Sequence, residues 1–140
     1  MADIASKKDI ELLVNTFYSK IKEDELLSDF FGKVVPIDWE HHLPRMVGFW
    51  EFILFSTPNA YTGSVMEPHF HVNEIKKFKI EHFERWIYLF KKTVDELFEG
   101  PKSNEAKEAA IGIASTMKYK LIGRTAPDFK VTAVDDTQQQ

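Results

Sequence analysis

The chain has 140 residues, 44% of them hydrophobic and 29% charged, with a formal net charge of −4. That is one domain's worth of sequence with enough apolar matter for a core. The acidic balance excludes the basic face that phosphate contacts need, and no Lys/Arg block flanks an apolar stripe, so neither nucleic acid nor membrane is an expected partner. With no cysteine, disulfides, iron–sulfur clusters and every thiolate-held or thioether-attached cofactor are excluded. The opening MADIASKKDIELL lacks the apolar stretch of a signal peptide. No apolar run approaches the roughly 18 residues of a membrane span. A soluble, cytoplasmic protein is expected.

The first predicted helix runs from Lys7 to Lys22. Ile10, Leu13, Val14, Phe17, Tyr18 and Ile21 form its stripe, and Ser6 is its cap with Asp9 three residues on. A short helical turn over Glu25 to Phe31 ends at Gly32. Asp38 caps a second helix that reaches Phe55, with Trp39, His42, Leu43, Met46, Phe49, Trp50, Ile53 and Leu54 inward. Pro44 inside it predicts a kink or a distorted first turn. From Ser56 to Pro68 the periodicity vanishes and Pro58, Asn59, Gly63 and Pro68 spell a loop. A weak short helix is expected over His69 to Ile75.

Ile80, Phe83, Trp86, Ile87, Phe90, Val94 and Leu97 then mark a strong helix from Phe78 to Phe98, stopped by Gly100-Pro101. Ser103 is the expected cap of a last helix to Ile122, with Ala106, Ala109, Ala110, Ile113, Met117 and Leu121 inward and Gly123 as its stop. Period-two alternation is absent. The expectation is an all-α domain over residues 1–123, followed by a polar, disordered tail over 124–140.

Aromatics are abundant: 14% of the chain, with 12 Phe and 3 Trp. They form either an aromatic-rich core or the lining of a cavity for a flat, apolar guest. Of the five histidines, His42 lies on the apolar face of the second helix, and His69 and His71 follow the long loop. Glu-x-x-His and H-E-x-x-H metal motifs are missing, as are G-x-S-x-G and a phosphate-cradling glycine loop. A haem asks for one neutral imidazole, an apolar slot and a few polar groups opposite. His69 between two aromatic helices suits the first requirement. Tyr18 and Trp86, polar-tipped on buried stripes, suit the last, unless each simply donates to a nearby carbonyl.

Four segments together carry a family resemblance: I-x-x-L-V-x-x-F-Y from Ile10 to Tyr18, W-x-x-H-x-x-x-x-x-x-F-W from Trp39 to Trp50, Y-x-G-x-x-x-x-x-H from Tyr61 to His69, and H-F-x-R-W-I-x-L-F from His82 to Phe90. In their order and spacing the chain resembles a group III truncated haemoglobin. The resemblance implies a truncated globin fold, a two-on-two helical sandwich, around non-covalent haem b. His69 would be the iron ligand, with His71 a second imidazole close by. Tyr18, His42 and Trp86 would line the distal, ligand-binding side. Phe31, Met46 and Phe49 would wall the porphyrin and Arg45 would meet a propionate.

The function so implied is binding of dioxygen, nitric oxide or another small diatomic ligand at ferrous iron. Nitric oxide dioxygenase or peroxidase-like activity would further need a reductase that the sequence does not name. Two rivals from other classes are a non-haem metal-dependent helical enzyme and a helical interaction domain with no cofactor.

Overall fold

The computed structural model describes residues 1–30, 37–61, 69 and 77–122. Within them lie four α-helices: α1 (Lys7–Glu23), α2 (Trp39–Phe55), α3 (Ile80–Leu97) and α4 (Pro101–Ile122), with a 3₁₀ turn at Ser28–Phe30. No strand occurs among the described residues. The main contacts of α1 are with α2 and α3, and those of α4 are with α2 and α3. Two helix pairs thus pack on each other, which is the two-on-two sandwich. No helix among the described residues is long and apolar enough to cross a membrane.

The start of α1 is local chemistry. The Ser6 side chain accepts from the Asp9 N–H, and the Asp9 carboxylate reaches back to the Ala5 N–H at 2.8 Å. Ile10, Leu13, Val14, Phe17 and Ile21 are buried, as their spacing dictates. At the other end Asp24 is buried and busy. Its Oδ2 accepts from the Leu26 and Leu27 N–H groups at 3.2 and 3.1 Å. Its Oδ1 takes Arg85 Nε at 2.8 Å, tying the end of α1 to α3. This pair was not foreseen in the sequence.

Asp38 caps α2 by accepting from the Glu40 N–H at 3.2 Å. The helix is continuous through Pro44. The carbonyl that Pro44 cannot engage belongs to Glu40, and both residues are exposed, so water can serve it. The buried face includes Val47 and Gly48 as well as Trp50 and Leu54. Gly48 is there because the Ala60 carbonyl lies against it, leaving no room for a Cβ. Ser56 closes the helix in the left-handed region, at φ 55°.

The expected cap of α4 is corrected by the structure. Ser103 is not outside the helix but within it, and only 1% exposed. The helix begins at Pro101, where a missing N–H costs nothing. Its free N–H groups are satisfied from the far end of the sequence: Asp3 Oδ2 accepts from Lys102 N–H and Oδ1 from Ser103 N–H, both at 2.8 Å, while the Ser103 hydroxyl donates to Oδ1 at 2.6 Å. Ala106, Ala110 and Ala114 are buried on α4, and such small side chains let it lie close to its neighbours. The predicted α3 is trimmed at both ends, Phe98 instead giving its N–H to the Val94 carbonyl as C-cap. The expected short helix after Pro68 falls outside the described residues except at His69, whose backbone is helical. Gly123 and the tail also lie outside them.

Candidate functional site

Two aromatic groups converge on the candidate histidines. His69 is half-buried, and its ring is 6.3 Å from that of Phe78. Phe78 stacks on Phe30 at 4.5 Å with planes only 15° apart, and His82 meets Phe30 edge-on at 4.9 Å. His82 is itself held: its Nδ1 accepts from the Lys79 N–H at 2.8 Å, which leaves the ring proton of the neutral form on Nε2. The stretch before α3 and the turn after α1 therefore wall one side of His69 with rings.

The second group belongs to α1 and α2. Tyr18 meets His42 edge-on at 5.1 Å and Trp39 at 5.7 Å, and Trp39 in turn meets His42 at 5.5 Å. Lys22 Nζ sits over the Trp39 ring, 4.2 Å from its centroid. Three rings thus brace one another, and His42 lies among them with Nε2 buried and without a hydrogen-bond partner. A buried polar nitrogen left in that state is uncommon and points to a guest or a function.

The electrostatics match. Burial, then the charges of Arg45 and His69, hold the His42 imidazole below its usual value, in the neutral form. Burial also pushes the Tyr18 phenol far above its ordinary range, so it keeps its proton and remains a donor.

Of the other candidates, Trp86 stacks on Phe90 at 5.7 Å and meets Phe17 edge-on at 5.6 Å. Phe17 also meets Tyr18 at 5.2 Å and so bridges the two expected distal donors. Arg45 lies over the Tyr61 ring, 5.2 Å from its centroid, with Nη2 3.4 Å from the hydroxyl. Phe49 meets the same Tyr61 ring edge-on at 5.2 Å. Met46 and Phe49 are half-buried against the core. Phe31 and His71 lie outside the described residues. Sequence reasoning passed over Phe30, Phe78, Trp39 and Tyr61 as site walls, although each stands within a residue of a quoted motif or at a helix boundary.

Among the described residues no group of three or more His, Asp or Glu side chains is placed to hold a metal ion. What the arrangement offers instead is the buried, unpartnered Nε2 of His42, a phenol donor at Tyr18 and ring-lined walls. Rings of this kind suit a flat apolar guest, an imidazole nitrogen suits a single point of attachment, and a phenol suits donation to whatever such a guest carries.

No profile of a known protein family matches the chain. It is similar to the group 3 truncated hemoglobin ctb of Campylobacter jejuni, 26% identical over 124 residues that span 84% of this chain and 94% of that protein. It is also similar to the crystal structure of group III truncated hemoglobin from Campylobacter jejuni, with a TM-score of 0.74 and 25% identity over 86% of this chain and 95% of that one. The chain has a truncated-globin fold, and in both sequence and structure it is similar to group III truncated haemoglobin.

Proposed function

We propose that the protein binds haem b non-covalently through His69 and binds dioxygen, nitric oxide or a similar diatomic ligand on the opposite side. The observation that carries this reading is the buried, unpartnered Nε2 of His42 among aromatic walls, in a chain similar to truncated haemoglobins. When bound, the haem supplies a ferrous iron able to hold such a ligand reversibly.

The chain's own residues do the rest. His69 anchors the iron. Tyr18, kept protonated by burial, donates to the partly negative outer atom of the ligand. Trp86 would complete the distal wall, and Met46 and Phe49, with Phe31 by resemblance, would enclose the apolar macrocycle. Arg45, solvent-exposed at the rim, supplies a cation for a propionate. Two donors over the ligand slow its release, which suits ligand chemistry more than transport. Oxidation of nitric oxide or reduction of peroxide, with electrons from a separate reductase, is the activity class that follows.

The test is titration of the purified full chain with haemin. Wild type is expected to develop a Soret band and a raised melting temperature, since a ligand that binds only the folded state stabilises it, by about 2.7 kcal/mol at a hundredfold excess over Kd. His69→Ala should lose the five-coordinate ferrous spectrum and His71→Ala should keep it. The reverse result moves the iron ligand to His71. A colourless wild type with an unmoved melting temperature removes the haem reading.

A further inference from the structure

We propose that small phenols are oxidised at Tyr61, and that the rings of Trp86, Phe90, Trp50, Phe49 and Tyr61 form one column that carries their electrons inward to peroxide being reduced at the haem. The inference rests on the haem reading above in its peroxide-reducing form, and adds to it a donor class, a surface site and a route.

Trp86 lies nearly parallel to Phe90, 5.7 Å away with planes at 12°. Phe90 repeats the arrangement on Trp50, 4.9 Å away at 19°. Trp50 then meets Phe49 edge-on at 5.3 Å, and Phe49 meets Tyr61 edge-on at 5.2 Å. Aromatic pairs of either geometry are ordinary core packing. Packing does not dictate their order, which alternates: indole, phenyl, indole, phenyl, phenol. An indole or a phenol can give up one electron and hold the resulting hole. A phenyl ring is too hard to oxidise to hold one, but at ring contact it couples its two neighbours. The column therefore has three stops, Trp86, Trp50 and Tyr61, with an inert spacer between each pair.

Its two ends suit opposite tasks. At the inner end Trp86 meets Phe17, which in turn meets Tyr18, so the column begins beside the phenol placed over the ligand. In the middle Phe90 is 1% and Trp50 5% exposed, which shields a passing hole from solvent. At the outer end Tyr61 is half-buried, and its hydroxyl lies 3.4 Å from Nη2 of the exposed Arg45. Oxidising a phenol releases its proton, and at this rim the proton can pass to water. A tyrosine that has shed its proton is somewhat easier to oxidise than an indole, so the hole comes to rest at the outer stop.

Each passage moves one electron. Trp86 gives an electron to the reduction of peroxide, Trp50 refills Trp86, and Tyr61 refills Trp50 while its phenolic proton goes to water. The phenoxyl left at Tyr61 takes a hydrogen atom, one electron with one proton, from an incoming phenol. That exchange costs little because the bond broken and the bond formed are both phenolic O–H. Two passages, with two protons from water, turn one hydrogen peroxide into two waters and leave two donor phenoxyl radicals, which couple in solution.

The experiment mixes the haemin-reconstituted full chain with hydrogen peroxide, freezes it for paramagnetic resonance, and follows guaiacol oxidation in parallel. Tyr61→Phe and Trp50→Phe each keep a ring in place, and Tyr88→Phe removes an exposed phenol outside the column. Far-UV circular dichroism and the Soret band check fold and haem uptake. Wild type should show a tyrosyl radical, identified with ring-deuterated tyrosine. Tyr61→Phe should lose it and leave a tryptophanyl signal. Trp50→Phe should also lose the tyrosyl signal, both variants should lose guaiacol oxidation, and Tyr88→Phe should match wild type. If Trp50→Phe does not fold, fluorinated tryptophan throughout the chain, harder to oxidise at nearly unchanged shape, should weaken the same signal. A tyrosyl radical that survives Tyr61→Phe overturns the inference by placing the hole elsewhere. One that survives Trp50→Phe, or the fluorinated ring, overturns the column as its route. A haem-loaded wild type that forms no protein radical overturns the inference and leaves the haem reading standing. A wild type that takes up no pigment overturns both.

Discussion

The ring of Tyr18 meets that of His42 edge-on, with centroids 5.1 Å apart and planes at 84°. The contact joins α1 to α2 and puts a permanent proton donor beside a neutral imidazole. Tyr18→Phe keeps the ring and removes only the hydroxyl, so the packing survives. Oxygen release from the ferrous haem-loaded variant should speed up by about one to two decades, the equivalent of roughly 1–3 kcal/mol for a hydrogen bond to a partly charged ligand. Stopped-flow release measures it, with Trp86→Phe alongside to separate one donor from two. Unchanged rates in both variants would remove the distal roles.

Arg85→Ala strands the buried Asp24 carboxylate. Arg85 is partly exposed, and two backbone N–H groups remain on Asp24, so the cost at neutral pH should be about 1–3 kcal/mol in urea unfolding. Burial alone would raise Asp24, but the Arg85 hydrogen bonds, the backbone donors and the Arg85 charge more than offset it and hold the carboxyl below its usual value. A carboxyl lowered in the folded state stabilises the fold above its unfolded value, and that help is lost as pH falls through the folded value. The gap between wild type and Arg85→Ala should therefore narrow in acid. A gap that widens there contradicts the assignment.

Asp3→Ala removes the cap of α4 without touching the helix. The loss should be about 1–2 kcal/mol at neutral pH. Burial works against ionisation, but the Ser103 hydroxyl and three backbone N–H donors bring Asp3 from 3.8 down to about 2. The stabilisation is complete above 3.8 and disappears as pH drops through about 2. Melting temperatures of wild type and variant, followed down through that window, should converge.

Two glycines in helices should answer the same substitution with opposite signs. A Cβ on Gly48 runs into the Ala60 carbonyl, a backbone atom that cannot step aside cheaply, so Gly48→Ala should cost about 1–3 kcal/mol. Gly112 on α4 has nothing within 4 Å of a built Cβ. Gly112→Ala should stabilise by about 0.4–1 kcal/mol through the unfolded chain's lost freedom. Chemical denaturation of the pair decides both.

How far the sequence could be read depended on the range of each cause. The start of α1 and of α2 was legible because Ser6 and Asp38 cap their own next turns, and the stripes of α1 and α3 because burial follows a fixed period. The start of α4 was not, since its cap arrives from Asp3. Gly48 could not be recognised as buried because the reason is a carbonyl in the loop beyond the helix. The histidines and Tyr18 were visible as residue types on apolar faces, but not the bracing of His42 by Trp39, which needs the α1–α2 packing. Phe30 and Phe78, whose stacking walls one side of His69, were read only as members of the short turn and of the start of α3. Phe17 as the bridge between Tyr18 and Trp86 likewise becomes visible only when α1 and α3 are packed together.

The tie between Asp3 and Ser103 also orders events in time. Asp3 is synthesised long before the turn it serves, because a hundred positions separate it from Ser103. On the ribosome it must wait, with its carboxylate in water, until all of α3 has emerged and the next helix has begun. A nascent chain stalled within α3 would hold the buried Ile4 and the early segment loose and open to protease, and release of a few more residues would clasp it shut.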